Sequence, residues 1–252
     1  MNAIPRDVRE FLDGYPDHED DPTQNANLEF YQNKRKCRPD NVTIDEIHQR
    51  WKGDYSKLEY KHGFIQWLFP IQEYGMNSYA QPLQRHEIEV MRKDPEIQGR
   101  VLRSYRLMLD FYGMNLDSEE TGLLSRVKPE SKCAERYRNL SRSSHNYLRI
   151  SRILKSLSEL GFERLNAGFL LHILNEQSEH KQLDNSTLKS SMDRWWANCL
   201  RNEEEREWIA GIIRKARTDE SWVWTREMCV KALERRKETG SLRGEDAKIT
   251  LP

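Results

Sequence analysis

Most of the residues in this 252-residue chain that could do chemistry fail on spacing. His86-Glu87 opens like the helix of a zinc peptidase, but Val90 stands where the second histidine ligand belongs, so a two-ligand face is absent. There is no Gly-rich phosphate loop, no Gly-x-Ser-x-Gly elbow and no paired-carboxylate motif. Cys37, Cys133, Cys199 and Cys229 are scattered, with no Cys-x-x-Cys pair and no histidine at ligand spacing. They read as free thiols of a reducing compartment, with Cys199 and Cys229 as small core hydrophobes. The chain reads as a non-enzyme without cofactor or metal.

Local charge is more informative. Nine basic residues lie between Arg126 and Lys155, against only Glu130 and Glu135, in a chain whose 41 basic and 41 acidic residues cancel. On a helix, His145, Arg149, Arg152 and Ser156 share a stripe about 60° wide on the shoulder of an apolar face. Two readings of this stripe compete. In the first, Arg149 and Arg152, flanked by His145 and Asn146, recognise a carboxylate, a phosphate or a protein partner with acidic groups. Their stems would rest on packed side chains and leave the planar donors free. In the second, the cations pair with the chain's own acids, such as its acidic N-terminal arm. Seven tryptophans, five of them after residue 194, suggest a stacking platform, but their helical spacing beside Ile and Leu reads as core.

The elements that must position these residues are helical. Thr43 with Glu46 forms a capping box for a helix through Ile44, Ile47 and Trp51. A second helix is expected from about Asp54, carrying Leu58, Phe64 and Trp67 inward and stopping before Pro70, then a loop from Ile71 to Pro82. Asp94 as N-cap, Pro95 at the first turn and Gly113 as the stop define a long amphipathic helix carrying Ile97, Val101, Tyr105 and Met108 inward. Residues 118 to 133 are turn-prone. Further helices are expected around Tyr147–Leu160, Asn166–Glu179, Ser186–Leu200, Asn202–Ala216 and from Thr225. The fold class is all-α, a single irregular domain of seven to nine helices over 27–238. Residues 1–26, acidic and poor in apolar anchors, read as a poorly ordered arm, and 239–252 as a flexible tail.

Composition limits the function classes. With 33% charged and 37% hydrophobic residues and a mean hydropathy of -0.92, apolar content must concentrate on a few element faces. The longest apolar stretch, Phe64 to Ile71, is too short to span a bilayer, and no signal peptide is evident. Neutral balance supplies no field for nucleic acid.

Several runs carry a resemblance. Phe64-Ile65-Gln66-Trp67-Leu68-Phe69-Pro70, followed by Gly75-Met76-Asn77 and Pro82-Leu83, resembles the conserved domain of the opioid growth factor receptor family. Phe30-Tyr31, Ser104-Tyr105, Phe111-Tyr112-Gly113, His145-Asn146 and Arg152-Ile153-Leu154-Lys155-Ser156-Leu157 resemble it in the same order, from Asn27 to Gly161 and more loosely to Trp224. The resemblance implies an intracellular protein of the nucleus, perinuclear region and cytoplasm, a receptor for the peptide Met-enkephalin and a restraint on proliferation. It brings no catalytic residue and no established peptide-binding residue. The chain departs from the best-known members in lacking their long Pro-rich, acidic, repetitive tail, which puts functions housed there in doubt. A helical protein–protein interaction scaffold is the alternative.

Overall fold

The computed structural model describes residues 4–244. Among them are thirteen α-helices: α1 (Arg6–Leu12), α2 (Ala26–Tyr31), α3 (Ile44–Arg50), α4 (Tyr55–Tyr60), α5 (Phe64–Leu68), α6 (Arg85–Lys93), α7 (Pro95–Tyr112), α8 (Glu130–Arg142), α9 (His145–Glu159), α10 (Arg164–Ser178), α11 (Ser186–Arg194), α12 (Glu203–Thr218) and α13 (Arg226–Thr239). A two-stranded antiparallel ribbon, β1 (Met114–Leu116) and β2 (Leu124–Arg126), pairs Asn115 with Ser125. The fold is all-α, as the sequence indicates.

Helix α10 carries a central run, Ala167 to Leu174, that is apolar but for His172, and it is buried along almost its whole length. Such a helix cannot face water, and it packs against α9, α12, α13 and β2. Helix α7 forms the second spine, against α3, α6, α8 and β1. Its ends are those read from the sequence. Asp94 accepts from the amides of Glu96 and Ile97, Pro95 occupies the first turn, and Gly113 stops the helix with φ +91°, a backbone state that an L side chain resists. The Thr43–Glu46 capping box is formed in full.

The helices are more numerous and shorter than expected. The segment 54–70 is two helices, α4 and α5, broken at Lys61-His62-Gly63. The expected Ser186–Leu200 helix stops at Arg194 and continues as a single 3₁₀ turn, Trp196–Asn198. Helices α2, α6 and α8 are additional; a capping box between Gln84 and Glu87 starts α6.

The reading of residues 1–26 as a poorly ordered arm is corrected over residues 4–26; residues 1–3 lie outside the described residues. Helix α1 buries Val8 and Phe11, Tyr15 follows it into the core, and Asp20 and Asp21 bond Arg85, His86 and Gln84. The acids dominated the composition, while the three apolar anchors, spaced by three and four residues, were too few to register as a pattern. At the other end Gly240 caps α13 and Leu242 is buried, so the tail does not begin at 239; residues 245–252 lie outside the described residues.

Phe64, Trp67 and Leu68 are buried, and the Trp67 indole donates to the Arg38 carbonyl at 3.1 Å. Trp196 and Trp224 are core, with Trp195, Trp208 and Trp222 packed against it. All four cysteines are free and buried, and burial pushes the Cys199 and Cys229 thiols up to about 12.

Two outcomes are expected. Trp67→Ala should lower the unfolding free energy in urea by about 3 to 5 kcal/mol, the usual cost of truncating a large buried aromatic; a loss below about 1 kcal/mol would contradict its burial. His172, buried beside Tyr137 (3.1 Å), is held down at about 4 by burial, against an ordinary histidine value near 6.5. The unfolded chain therefore takes up that proton first. Stability that His172 contributes is complete above pH 6.5 and lost as pH falls to 4, on the order of 3 kcal/mol. In His172→Gln, unfolding curves over this window should show a shallower fall than in the parent chain.

Candidate functional site

Helix α9 presents three cations at intervals of three residues, and each reaches a different segment of the first third of the chain. Arg149 donates through Nη1 to the Leu58 carbonyl (2.9 Å) and to Asn146 Oδ1 (3.1 Å), and through Nη2 to the carbonyls of Glu59 (3.2 Å) and Lys61 (2.7 Å). These are carbonyls of the last turn of α4 and the residue after it, which have no partner within their own helix. Arg152 donates through Nε to the Phe69 carbonyl (2.8 Å), the C-cap of α5. Lys155, buried, holds Asp7 at 3.0 Å and Glu73 at 2.7 Å.

The structure thus brings the four residues singled out in the sequence together, but not around an open anion site. His145 Nε2 lies 3.0 Å from Glu59, and buried Asn146 donates to the same carboxylate. Burial alone would raise the Glu59 carboxyl; hydrogen bonds from Asn139, Asn146 and Ser143 and the nearby His145 hold it below the ordinary value. The resident anion is therefore the chain's own. Arg149 has both terminal nitrogens engaged, which corrects the expectation of a free fork. Lys155 does what the competing reading proposed and pairs with the acidic arm through Asp7. Arg152 keeps its terminal nitrogens outside any hydrogen bond among the described residues, while burial lowers it to about 10.

The feature that sequence reasoning missed lies on the other side of these anchors. The segment 71–83 is closed at its base by Leu83 N donating to the Ile71 carbonyl at 2.9 Å. Asn77 pins its tip: Nδ2 donates to the carbonyls of Arg38 (2.7 Å) and Gly63 (3.1 Å), and Oδ1 accepts from the Tyr79 amide at 3.0 Å. Gly75 lies so close to the buried Gln66 side chain that a Cβ there would stand 2.0 Å from Oε1. This fixed loop points its apolar side chains at solvent, with Tyr74 84%, Met76 100% and Tyr79 60% exposed; Tyr60, at the end of α4, is 78% exposed. Exposed Lys34, Lys36 and Arg38 belong to the strand of chain on which Asn77 is pinned, and none of the three forms an ion pair among the described residues. A signal was present in the sequence: four large apolar residues at positions that no helical period assigns to a core.

Between α7 and α9 the core leaves a void of roughly one water molecule, lined by Tyr105, Met108, Tyr112, Ile150 and Phe169. It is too small for a peptide side chain. No helix among the described residues is long and apolar enough to cross a membrane.

Comparison with known proteins adds a family. The profile described as the opioid growth factor receptor conserved region matches residues 20–231. Opioid growth factor receptor-like protein 1 of Mus musculus is 40% identical over 222 residues, 87% of this chain and 47% of that protein. The same-named protein of Xenopus tropicalis is 41% identical over 204 residues, 80% and 39% respectively. The opioid growth factor receptor of Homo sapiens is 42% identical over 180 residues, 71% and 26%. The chain thus spans less than half the length of each of these relatives. No solved structure matches it.

The capping geometry gives a stability forecast. Arg149→Lys keeps the charge but cannot serve four acceptors in the guanidinium plane, so the melting temperature should fall, by an amount equivalent to about 1.5 to 3 kcal/mol for the charged hydrogen bonds lost. An unchanged melting temperature would mean that the carbonyls of α4 do not need this donor.

Proposed function

The chain belongs to the opioid growth factor receptor family, and from that premise we propose that it is a non-catalytic interaction domain whose contact surface is the Tyr74–Tyr79 loop. The observation that carries this reading is the exposure of Tyr74, Met76 and Tyr79 on a loop that Asn77, Gly75 and the Ile71–Leu83 bond hold fixed. Large apolar side chains on a mobile loop would lose entropy on binding; on a pinned loop that cost is already met by the fold. Tyrosine and methionine are also residue types enriched at the centres of interfaces. Exposed Arg38, whose carbonyl Asn77 grips and whose side chain forms no ion pair among the described residues, sets a cation beside this surface, so the partner that fits is a protein with an apolar patch bordered by acids.

One relative is named opioid growth factor receptor, and the family resemblance implies a second reading, a receptor for the peptide Met-enkephalin acting to restrain proliferation in the nucleus and cytoplasm. A flexible pentapeptide needs a concave site to offset its ordering entropy. The stripe on α9 offers less than that, because Arg149 is engaged with α4 and the void beneath is the size of one water molecule.

A photoreactive phenylalanine analogue placed at Tyr74, with exposed Glu207 as the control position, would capture the partner in cells. The reading requires a protein crosslinked from position 74 and not from 207, whose purified form binds the parent chain and loses at least tenfold in affinity with Tyr74→Ser plus Tyr79→Ser. Equal crosslinking from both positions, or unchanged affinity, would refute it. Calorimetric titration of the full chain with Met-enkephalin and a scrambled peptide decides the second reading: saturable binding of the first alone supports it, and equal heats for both reject it.

A further inference from the structure

Helix α1 stands apart from the rest of the chain in three ways. It precedes residue 20, where the family match begins, whereas the residues that hold it, Glu73, Arg85, Lys155 and Arg201, all lie inside the matched stretch. It is joined to the body by a link in which Pro16, Asp17 and Glu19 are exposed. At seven residues it is too short to be helical alone in water, so its helix forms only against the surface that receives it.

The way it is held resembles the recognition of a peptide more than the packing of one helix on another. Lys155 Nζ takes both the Asp7 carboxylate (3.0 Å) and the Asp7 carbonyl (3.1 Å). The Arg201 guanidinium lies 4.4 Å over the centre of the Phe11 ring and donates through Nε (3.2 Å) and Nη2 (3.0 Å) to the Phe11 carbonyl. The Tyr15 hydroxyl donates to Glu73 at 2.7 Å, and Arg85 closes on the Tyr15 carbonyl at 3.2 Å. A carboxylate, a phenyl ring and a phenol, four residues apart, each meet a matching group: an ammonium, a stacked guanidinium and a carboxylate. Glu159 fixes Arg201 from below at 2.5 Å, and Glu73 is itself held by Lys155 at 2.7 Å, so the receiving side chains are set by their own neighbours. Of the three receiving cations, Lys155 and Arg201 are offset within the body by Glu73 and Glu159, while Arg85 forms no ion pair among the described residues, so the receiving groups keep a positive charge that the Asp7 carboxylate of the visitor answers.

We propose that the cleft bounded by Glu73, Lys155 and Arg201 is a binding site for a short peptide that carries a carboxylate and a phenyl ring at positions i and i+4 of a short helix and a phenol at i+8, beyond the end of that helix, and that α1 with the following Tyr15 is its occupant in cis. Such an occupant competes at the millimolar effective concentration of a short tether, so a peptide in trans enters only when α1 is released or severed. The site is separate from the surface formed by Tyr74 and Tyr79, and its test does not depend on that surface.

The test uses the full chain with a protease recognition sequence inserted between Pro16 and Asp17, and as probe a fluorescein-labelled synthetic peptide of residues 4–16 followed by fluorescence anisotropy. Before cleavage the probe should not bind at micromolar concentrations. After cleavage and gel filtration it should bind saturably, at least tenfold more tightly than to the uncut chain, and a probe carrying Asp7→Lys and Phe11→Ala should fail. Circular dichroism on the same sample guards against loss of fold. A cleaved chain that keeps its helical signal but does not bind the probe overturns the proposal. So does one that loses its helical signal and does not regain it when the probe is added, because α1 would then be an inseparable part of the core.

Discussion

The constraint on which this structure depends is the unpaired carbonyls of short helices. A helix leaves up to four carbonyls unpaired at its C-terminal end, and in helices of five to seven residues these make up most of the backbone acceptors. Four such helices, α1, α2, α4 and α5, are each closed by an arginine from a distant element. Arg201 serves Phe11 in α1, Arg100 serves Tyr31 in α2 at 3.0 Å, Arg149 serves α4 and Arg152 serves Phe69 after α5. Arg100 also forks onto Asp45 in the first turn of α3, with both bonds at 3.0 Å, and so joins the end of one short helix to the start of the next. Arg92 does the same service for α9 itself, at the carbonyls of Ser158 and Glu159. The guanidinium suits this task because its donors lie in one plane and are weakly hydrated. The positive charge also answers the negative end of each helix dipole.

This explains a composition that is otherwise puzzling. A chain with 33% charged residues and no net charge carries more ions than the roughly 25% typical of soluble domains. Many of them are internal fasteners: Arg126 on Glu176, Lys155 on Asp7 and Glu73, Arg236 on Glu205. Burying each ion is costly, and the attraction to its partner offsets that cost without a large surplus. What such contacts add is specificity, since a displaced short helix leaves both a buried cation and several carbonyls without partners.

The sequence was legible where one element carries its own signal. Thr43 with Glu46, and Asp94-Pro95 with Gly113, are local patterns, and the helices end where those patterns say. The Phe64–Pro70 run reads as core because Gln66 is its one polar residue. The stripe of Arg149 and Arg152 was legible as geometry but not as purpose: helical period places two guanidiniums on one shoulder and says nothing of what lies opposite. A carbonyl acceptor leaves no trace in the sequence, so a donor aimed at backbone looks the same as a donor awaiting a ligand. For the same reason the break between α4 and α5 at Lys61-His62-Gly63 was missed, because it is stabilised from α9. Helix α1 was hidden by its acids, one of which, Asp7, is the group that docks it. The Tyr74–Tyr79 loop was read as a loop, but its exposure follows from long-range pins to Arg38, Gly63 and Gln66.

Helix α4 is held by α9 rather than by its own hydrogen bonds. Native-state hydrogen exchange under rising denaturant tests it most directly, by comparing the amides of Leu58, Glu59 and Tyr60 with those of Ile150, Ile153 and Leu154. The account predicts that both sets open in one cooperative unit, with α4 joining the same isotherm as α9. Exchange of the α4 amides through local fraying, at low free energy and without dependence on denaturant while α9 stays protected, would contradict it.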